Sequence, residues 1–186
     1  MAPKSIILAS GSPRRAQLLK DLGYNFEIQV PNIDESPYQN ETSLAYSLRM
    51  ALEKGRSISA KHPDSVVISA DTIVVFNDEI IGKPKDKADF ISIFQKLSNN
   101  KHLVISSIAV CFNNQIFQDQ VTTEVTFTKI SLEEMFQYWD TGEPRDKAGG
   151  YGIQGIGSQF VKSINGSYSN VVGLPQAELK EILHKL

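Results

Sequence analysis

The stretch Ser10-Gly11-Ser12-Pro13-Arg14-Arg15 has the makings of an anion site. It follows an apolar run, Ser5-Ile6-Ile7-Leu8-Ala9, that reads as a short buried strand. It precedes residues 16–22, which read as a helix closed by Gly23 at its C′ position. Ser12 suits the N-cap and Pro13 the first helical position. Arg14 and Arg15 then fall in the first turn, where the helix dipole disfavours cations. A bound anion supplies a reason for them, and phosphate fits guanidinium geometry best. The alternative is a capped helix with two solvated arginines.

Five further positions could join such a loop: Asp71, Lys83, Glu35, Lys54 and Lys147. Asp71 interrupts an apolar β run over residues 65–76. An unpaired aspartate is costly to bury and aspartate is a poor strand former, so function explains it better than packing. Asn77-Asp78 reads as a two-residue hairpin turn, and the return strand ends in Gly82-Lys83-Pro84. The hairpin argument brings Lys83 back towards Asp71 and makes it the expected partner of that carboxylate. Asp34 and Glu35 lie between Pro31 and Pro37, in a loop stiff enough to hold a metal ligand, although solvated acids are the commoner explanation. Lys54 lies on a helix read over residues 43–61, with Leu44, Leu48, Ala51, Leu52 and Gly55 as its apolar stripe. It sits roughly a quarter-turn off that stripe, where it can reach a cleft or snorkel to water. Together with Lys147, these residues suit phosphate-ester or anhydride chemistry. Cations neutralise phosphates, carboxylates hold a hard divalent metal, and one carboxylate orients or deprotonates water.

The elements that must position them are those of an α/β protein. Residues 25–30 read as a second strand, and Asp86 caps a helix burying Phe90, Ile93, Phe94 and Leu97. Residues 103–112 and 116–128 read as a long hairpin around Asn113-Asn114-Gln115, with Cys111 in the core. Ser131 and Glu134 make a capping box for a helix that buries Leu132, Met135, Phe136 and Trp139 and stops at Gly142. Pro175 opens a last helix with Leu179, Ile182, Leu183 and Leu186 as its stripe. Of 12 glycines, 8 lie between Gly142 and Gly173, interleaved with bulky residues, which points to close backbone approach rather than to a linker.

Composition narrows the function. Over 186 residues, 41% are hydrophobic and 22% charged, as in ordinary globular domains. The net charge of −2 speaks against a nucleic-acid binder. No apolar run is long enough to span a bilayer, and no signal peptide is expected, since Met1-Ala2-Pro3-Lys4 leads directly into the first strand. Cys111 is the single cysteine, which excludes an intrachain disulfide and fits a reducing cytosol. The three histidines match no zinc spacing. A Ser/His/Asp hydrolase lacks its nucleophile elbow, and there is no Walker A sequence. Residues 150–155 satisfy G-x-G-x-x-G, but they follow a loop and precede a β-like run, so the dinucleotide reading is rejected.

The motifs then become specific as a set. Residues 8–15, Glu53-Lys54, Ala70-Asp71-Thr72-Ile73-Val74, Gly82-Lys83-Pro84, Thr123-Glu124-Val125-Thr126-Phe127, Gly142-Glu143-Pro144, Asp146-Lys147-Ala148-Gly149, residues 150–155 and residues 166–175 occur in order over nearly the whole chain. In this it resembles the Maf family of nucleoside triphosphate pyrophosphatases, relatives in fold of the inosine-triphosphate pyrophosphatases. The resemblance implies one Maf-like domain over residues 1–186, with an elongated mixed sheet and flanking helices in two lobes around a central cleft. It implies a cytoplasmic enzyme, usually a homodimer with no nucleic-acid or membrane partner. That enzyme would use Mg²⁺ or Mn²⁺ to cleave a nucleoside triphosphate between the α and β phosphates. Asp71 matches the proton acceptor and Glu35 an active-site acid, the two being the metal-ligand candidates. Arg14, Arg15, Lys54 and Lys83 match phosphate-contacting positions, and Ser10 and Ser12 join them as substrate-binding candidates. Arg14, Thr72 and Gln154 match positions tied to substrate choice. Ala70-Asp71-Thr72 and Gly152-Ile153-Gln154-Gly155 are similar to the branch acting on dTTP and UTP rather than on 7-methyl-GTP. The departures are Gly55 for alanine, Asn99-Asn100-Lys101 for a Gly-basic-Thr run, and Ser106-Ser107 for Thr-Gly. A non-enzymatic regulator of septum formation and an inosine/xanthosine triphosphate pyrophosphatase are the rival readings.

Overall fold

A computed structural model describes residues 5–186; the lead-in read at residues 1–4 lies outside them. Strands β1 (Ile6–Ala9), β2 (Glu27–Ile28), β3 (Val66–Phe76), β4 (Glu79–Ile81), β5 (Lys101–Phe112), β6 (Gln115–Phe127) and β7 (Val161–Asn165) form one mixed sheet. Its order is β2-β1-β3-β5-β6-β7, with β4 on β3. β1 pairs in parallel with β2 and β3, while β3–β4 and β6–β7 are antiparallel. The helices are α1 (Pro13–Asp21), α2 (Ser43–Ser59), α3 (Lys87–Leu97), α4 (Leu132–Asp140), α5 (Tyr168–Val172) and α6 (Gln176–Leu183).

The chain forms two compact units. The first unit takes the described residues up to Thr72, Ser106–Val121 and Gly173–Leu186. Its small apolar centre gathers Ile7, Ala9, Ile58, Val67 and Cys111. The second takes Ile73–Ile105 and Thr122–Val172. Its core is aromatic: Phe90 and Phe94 stack at 4.3 Å between ring centroids, and Phe160 meets Phe94 edge-on at 5.6 Å. α3 buries the four residues that its i, i+3, i+4, i+7 spacing selects. The α4 capping box forms, with Ser131 and Glu134 bonding reciprocally.

Several sequence expectations shift. The second strand shortens to two exposed residues, because an edge segment with no covering layer gains little by pairing further. The turn between β5 and β6 is the two-residue Asn113-Asn114, both with positive φ, as a type I′ hairpin requires. On α4, Leu132 and Phe136 are exposed and Tyr138 is buried instead, because the ring stacks on Phe90, Phe94 and Phe160 while its hydroxyl has a carboxylate partner. α2 differs most. Its buried face is Ser47, Met50, Ala51, Lys54, Gly55 and Ile58, while Leu44 is exposed. The face is chosen by hydroxyls and one ammonium rather than by the leucines, so it escapes a hydrophobicity count. Gly55 explains its own presence there: a Cβ would lie 2.7 Å from Ser69 Oγ and 3.1 Å from Cys111 Sγ.

Candidate active site

In the first unit, α2 and β3 bring three charged groups together. Lys54 Nζ donates to Asp71 Oδ1 at 2.8 Å and to Glu35 Oε2 at 3.1 Å. Lys54 is 8% exposed and Asp71 6%. Asp71 Oδ2 is buried with no hydrogen-bond partner among the described residues. The hairpin argument makes Lys83 the partner of Asp71; the structure gives that place to Lys54, which reaches it from the middle of the buried face of α2.

Glu35 comes from the loop between β2 and α2, and helix side chains hold that loop. The Tyr46 hydroxyl donates to the Glu35 carbonyl at 2.8 Å. Arg49 grips both carboxylate oxygens of Glu41 at 2.6 Å, donates to the Ser36 carbonyl at 3.0 Å and lies 3.8 Å from the Tyr38 ring centre. Hydrogen bonds from Arg49 depress the Glu41 carboxyl to about 2, and burial pushes the Tyr46 phenol up to about 12. The prolines alone do not fix the loop. Tyr46, Arg49 and Lys54 all belong to α2, so one helix both supplies the lysine and anchors the acid it binds. Sequence reasoning missed Tyr46, Glu41 and the part that Arg49 plays. Arg49 and Glu41 are eight residues apart with a helix start between them, a spacing that signals nothing by itself.

α1 begins as expected after Ser12, which has the N-cap position but makes no side-chain capping bond. Ser10 does more: its buried hydroxyl accepts from the Ser12 N–H and from Arg15 Nη1, both at 3.2 Å. Arg15 is tied further by Nε to the Gly173 carbonyl at 2.9 Å and by Nη2 to Thr72 Oγ1 at 3.1 Å. Burial pushes the Arg15 guanidinium down from its ordinary range; the Asp71 charge raises it, and neighbouring Arg14 lowers it again. The structure therefore brings Ser10, Arg15 and Thr72 into one network, with Lys54, Asp71 and Glu35 forming another. Arg14, half-buried, stands beside the first, and Ser12 enters it through its backbone. Lys83 and Gln154 are exposed residues of the second unit and join neither network.

The second unit holds its own polar cluster, in the glycine-rich segment. Glu143 accepts from Tyr138 Oη at 2.7 Å and from the N–H groups of Ile156 at 2.9 Å and Gly157 at 3.0 Å. A Cβ on Gly155 would overlap this carboxylate, so only glycine fits there. The residues after 155 form a 3₁₀ turn, Ile156–Phe160, and then β7, so no helix follows the G-x-G-x-x-G match.

No cluster of three or more His, Cys, Asp or Glu suited to a metal occurs among the described residues. Two carboxylates on one lysine, one with a buried unbonded oxygen, remain a fitting donor set for Mg²⁺. That ion is commonly held by one or two carboxylates together with substrate phosphates.

Residues 5–186 match the family described as Maf-like protein. The chain belongs to the Maf family. A relative from Colwellia psychrerythraea named dTTP/UTP pyrophosphatase is 47% identical over 185 residues, covering 97% of this chain and 87% of its own. One of the same name from Desulfotalea psychrophila is 48% identical over 182 residues, covering 97% and 93%. Among solved structures, a HAM1 protein from Coxiella burnetii shares 17% identity over 69% of this chain and 75% of that one, with a TM-score of 0.47. Within this Maf chain no helix is long and apolar enough to cross a membrane, among the described residues.

Proposed function

We propose that this Maf protein hydrolyses dTTP, UTP and related pyrimidine nucleoside triphosphates to the monophosphate and pyrophosphate. The observation that carries the reading is Asp71. One of its oxygens is held by Lys54 and the other is buried and unbonded. A carboxylate fixed in that way can accept a proton through Oδ2 from the water that attacks the α phosphorus. The bridging oxygen then leaves with pyrophosphate, and the water oxygen stays on the monophosphate. Lys54 keeps Asp71 and Glu35 in place and supplies positive charge beside the phosphates. Arg14 is the first-turn cation we assign to the phosphate chain, at the positive end of α1. Lys83 and Gln154, in the second unit, are the further substrate-contact candidates that the family resemblance implies, and Gln154, Arg14 and Thr72 are the candidates for substrate choice. A divalent cation, Mg²⁺ or Mn²⁺, would be held by Glu35 and Asp71 and would neutralise phosphate charge there.

The similarity to relatives named dTTP/UTP pyrophosphatase supports the substrate class. We place the enzyme in the cytoplasm, as a homodimer of single-domain chains; a buried free thiol at Cys111 suits that compartment. The test is a panel of nucleoside triphosphates with Mg²⁺ or Mn²⁺, read for pyrophosphate and orthophosphate. Pyrophosphate release fastest from dTTP and UTP is the expected result. Preference for inosine or xanthosine triphosphates would reassign the substrate, and binding without turnover would leave a nucleotide-binding regulator.

A further inference from the structure

Thr72 follows Asp71 on β3, so the two side chains leave opposite faces of the strand. Lys54 meets Asp71 on the α2 face, and Arg15 meets Thr72 on the α1 face. A threonine hydroxyl has one proton and two lone pairs. The Gly173 carbonyl lies 3.3 Å from the Thr72 hydroxyl oxygen, which also accepts from Arg15 Nη2 at 3.1 Å. Ser106 Oγ lies 2.8 Å from the same oxygen. Either hydroxyl can be the donor of that bond. Arg15 reaches Gly173, Ser10 and Thr72 through three different nitrogens. Ser106 on β5 is 0% exposed, so it has no route to a substrate.

We propose that Ser106 is a positioning residue for the reaction, acting through Thr72 to fix the Asp71 segment of β3 and, through Arg15, the start of α1. The inference rests on the pyrophosphatase reading above. Without the Ser106 hydroxyl, Thr72 loses one of its partly buried hydrogen-bond partners and its hydroxyl is free to turn. Its hold on Arg15 then loosens, and with it the register between the helix start and the carboxylate. Ser107 provides an internal control. It is equally buried, but its hydroxyl bonds Ser47 at 2.8 Å and Gln120 at 2.8 Å, away from Thr72.

The experiment is steady-state pyrophosphate release from dTTP by the full chain with Mg²⁺, alongside melting temperatures. Ser106→Ala should lower kcat by about 5- to 20-fold, the worth of one buried hydrogen bond, with KM within about 3-fold. Ser106→Thr, which keeps the hydroxyl, should restore kcat to within about 3-fold. Ser107→Ala should leave kcat within about 2-fold even if its melting temperature falls as far. In a Thr72→Val background, Ser106→Ala should have no further effect on kcat, because the two act as one unit. Should the alanine variant not fold, Ser106→Cys keeps the volume with a weak donor and carries the same expectation. Equal loss of kcat in the Ser106 and Ser107 variants, or full additivity with Thr72→Val, overturns the proposal. An active wild type with an unaffected Ser106→Ala overturns this role alone. A wild type that releases no pyrophosphate from dTTP or UTP overturns the activity, and the proposal falls with it.

Discussion

Glu143 in the second unit and Asp71 in the first are both carboxylates set into protein, and their surroundings are opposite. Glu143 accepts one hydroxyl and two backbone N–H groups, spread over both oxygens. Burial pushes its pKa up, but the Gly157 N–H, the Tyr138 hydroxyl and the Ile156 N–H outweigh that and hold it below the ordinary carboxylate range. Asp71 has one oxygen on Lys54 and the other buried with no partner among the described residues. A carboxylate that closes a loop satisfies its acceptor sites; one that keeps an oxygen unpaired in a buried place costs stability. Such a cost persists where the oxygen has work outside the fold.

The largest effect that could break this contrast is on Asp71. Asp71→Asn is nearly isosteric and can keep the Lys54 bond through its amide oxygen. We expect pyrophosphate release to fall by roughly 10²–10⁴-fold, the usual worth of a positioned acid–base group, with the melting temperature unchanged or higher. Activity within a few-fold of wild type would move the proton acceptor elsewhere, and Glu35 would be the next residue to change.

Glu143→Ala should do the reverse. It strips partners from Tyr138 Oη and two N–H groups, so it should cost about 2–4 kcal/mol in urea unfolding, with water recovering part of the loss. Activity per folded molecule should fall much less than in Asp71→Asn. A loss of turnover as large as that of the Asp71 variant, without a loss of stability, would make Glu143 a functional acid and end the comparison.

How far the sequence showed this contrast depends on the kind of interaction involved. Asp71 was legible because one polar residue in an apolar strand has few explanations. α3 and the α4 capping box were legible because their signals are local and periodic. Lys54 was legible as a candidate from its place beside the apolar stripe and from family resemblance, but Lys83 was read as the partner of Asp71 in its stead. The face of α2 is set by Ser47 bonding Ser107, by Gly55 under Ser69 and by Lys54 on Asp71, all of them long-range partners. A leucine count cannot see them. The bonds of Ser106, Thr72, Arg15 and Gly173 join four distant parts of the chain through neutral groups and one arginine. No spacing rule reports such a junction. The departures at Gly55 and at Ser106-Ser107 lie at these junctions.

His102 sharpens the contrast from the other side, because an unbonded buried atom alone does not mark a working group. It is 2% exposed in the second unit, with Nε2 2.8 Å from the Tyr151 hydroxyl and Nδ1 buried without a partner among the described residues. The Phe127 and Tyr151 rings meet it edge-on at 4.8 and 5.5 Å. Burial depresses its pKa from 6.5 to about 4, so the folded protein holds the neutral ring. The folded value lies below the unfolded one, so the unfolded chain binds the extra proton first as pH falls. Stability from this residue is then fully present above about pH 6.5 and is lost progressively down to about pH 4. The total is about 3 kcal/mol, since each pKa unit is worth about 1.4 kcal/mol. Unfolding free energy measured from pH 7 to pH 4 should fall steeply in wild type. In His102→Phe the fall should be shallower by about that amount, with other carboxylates supplying the remainder. Turnover at pH 7 should stay within about 3-fold, because a ring sealed in the core has no route to a substrate. A His102→Phe variant that keeps the full acid loss would show that the ring is already protonated, or solvated, in the folded protein.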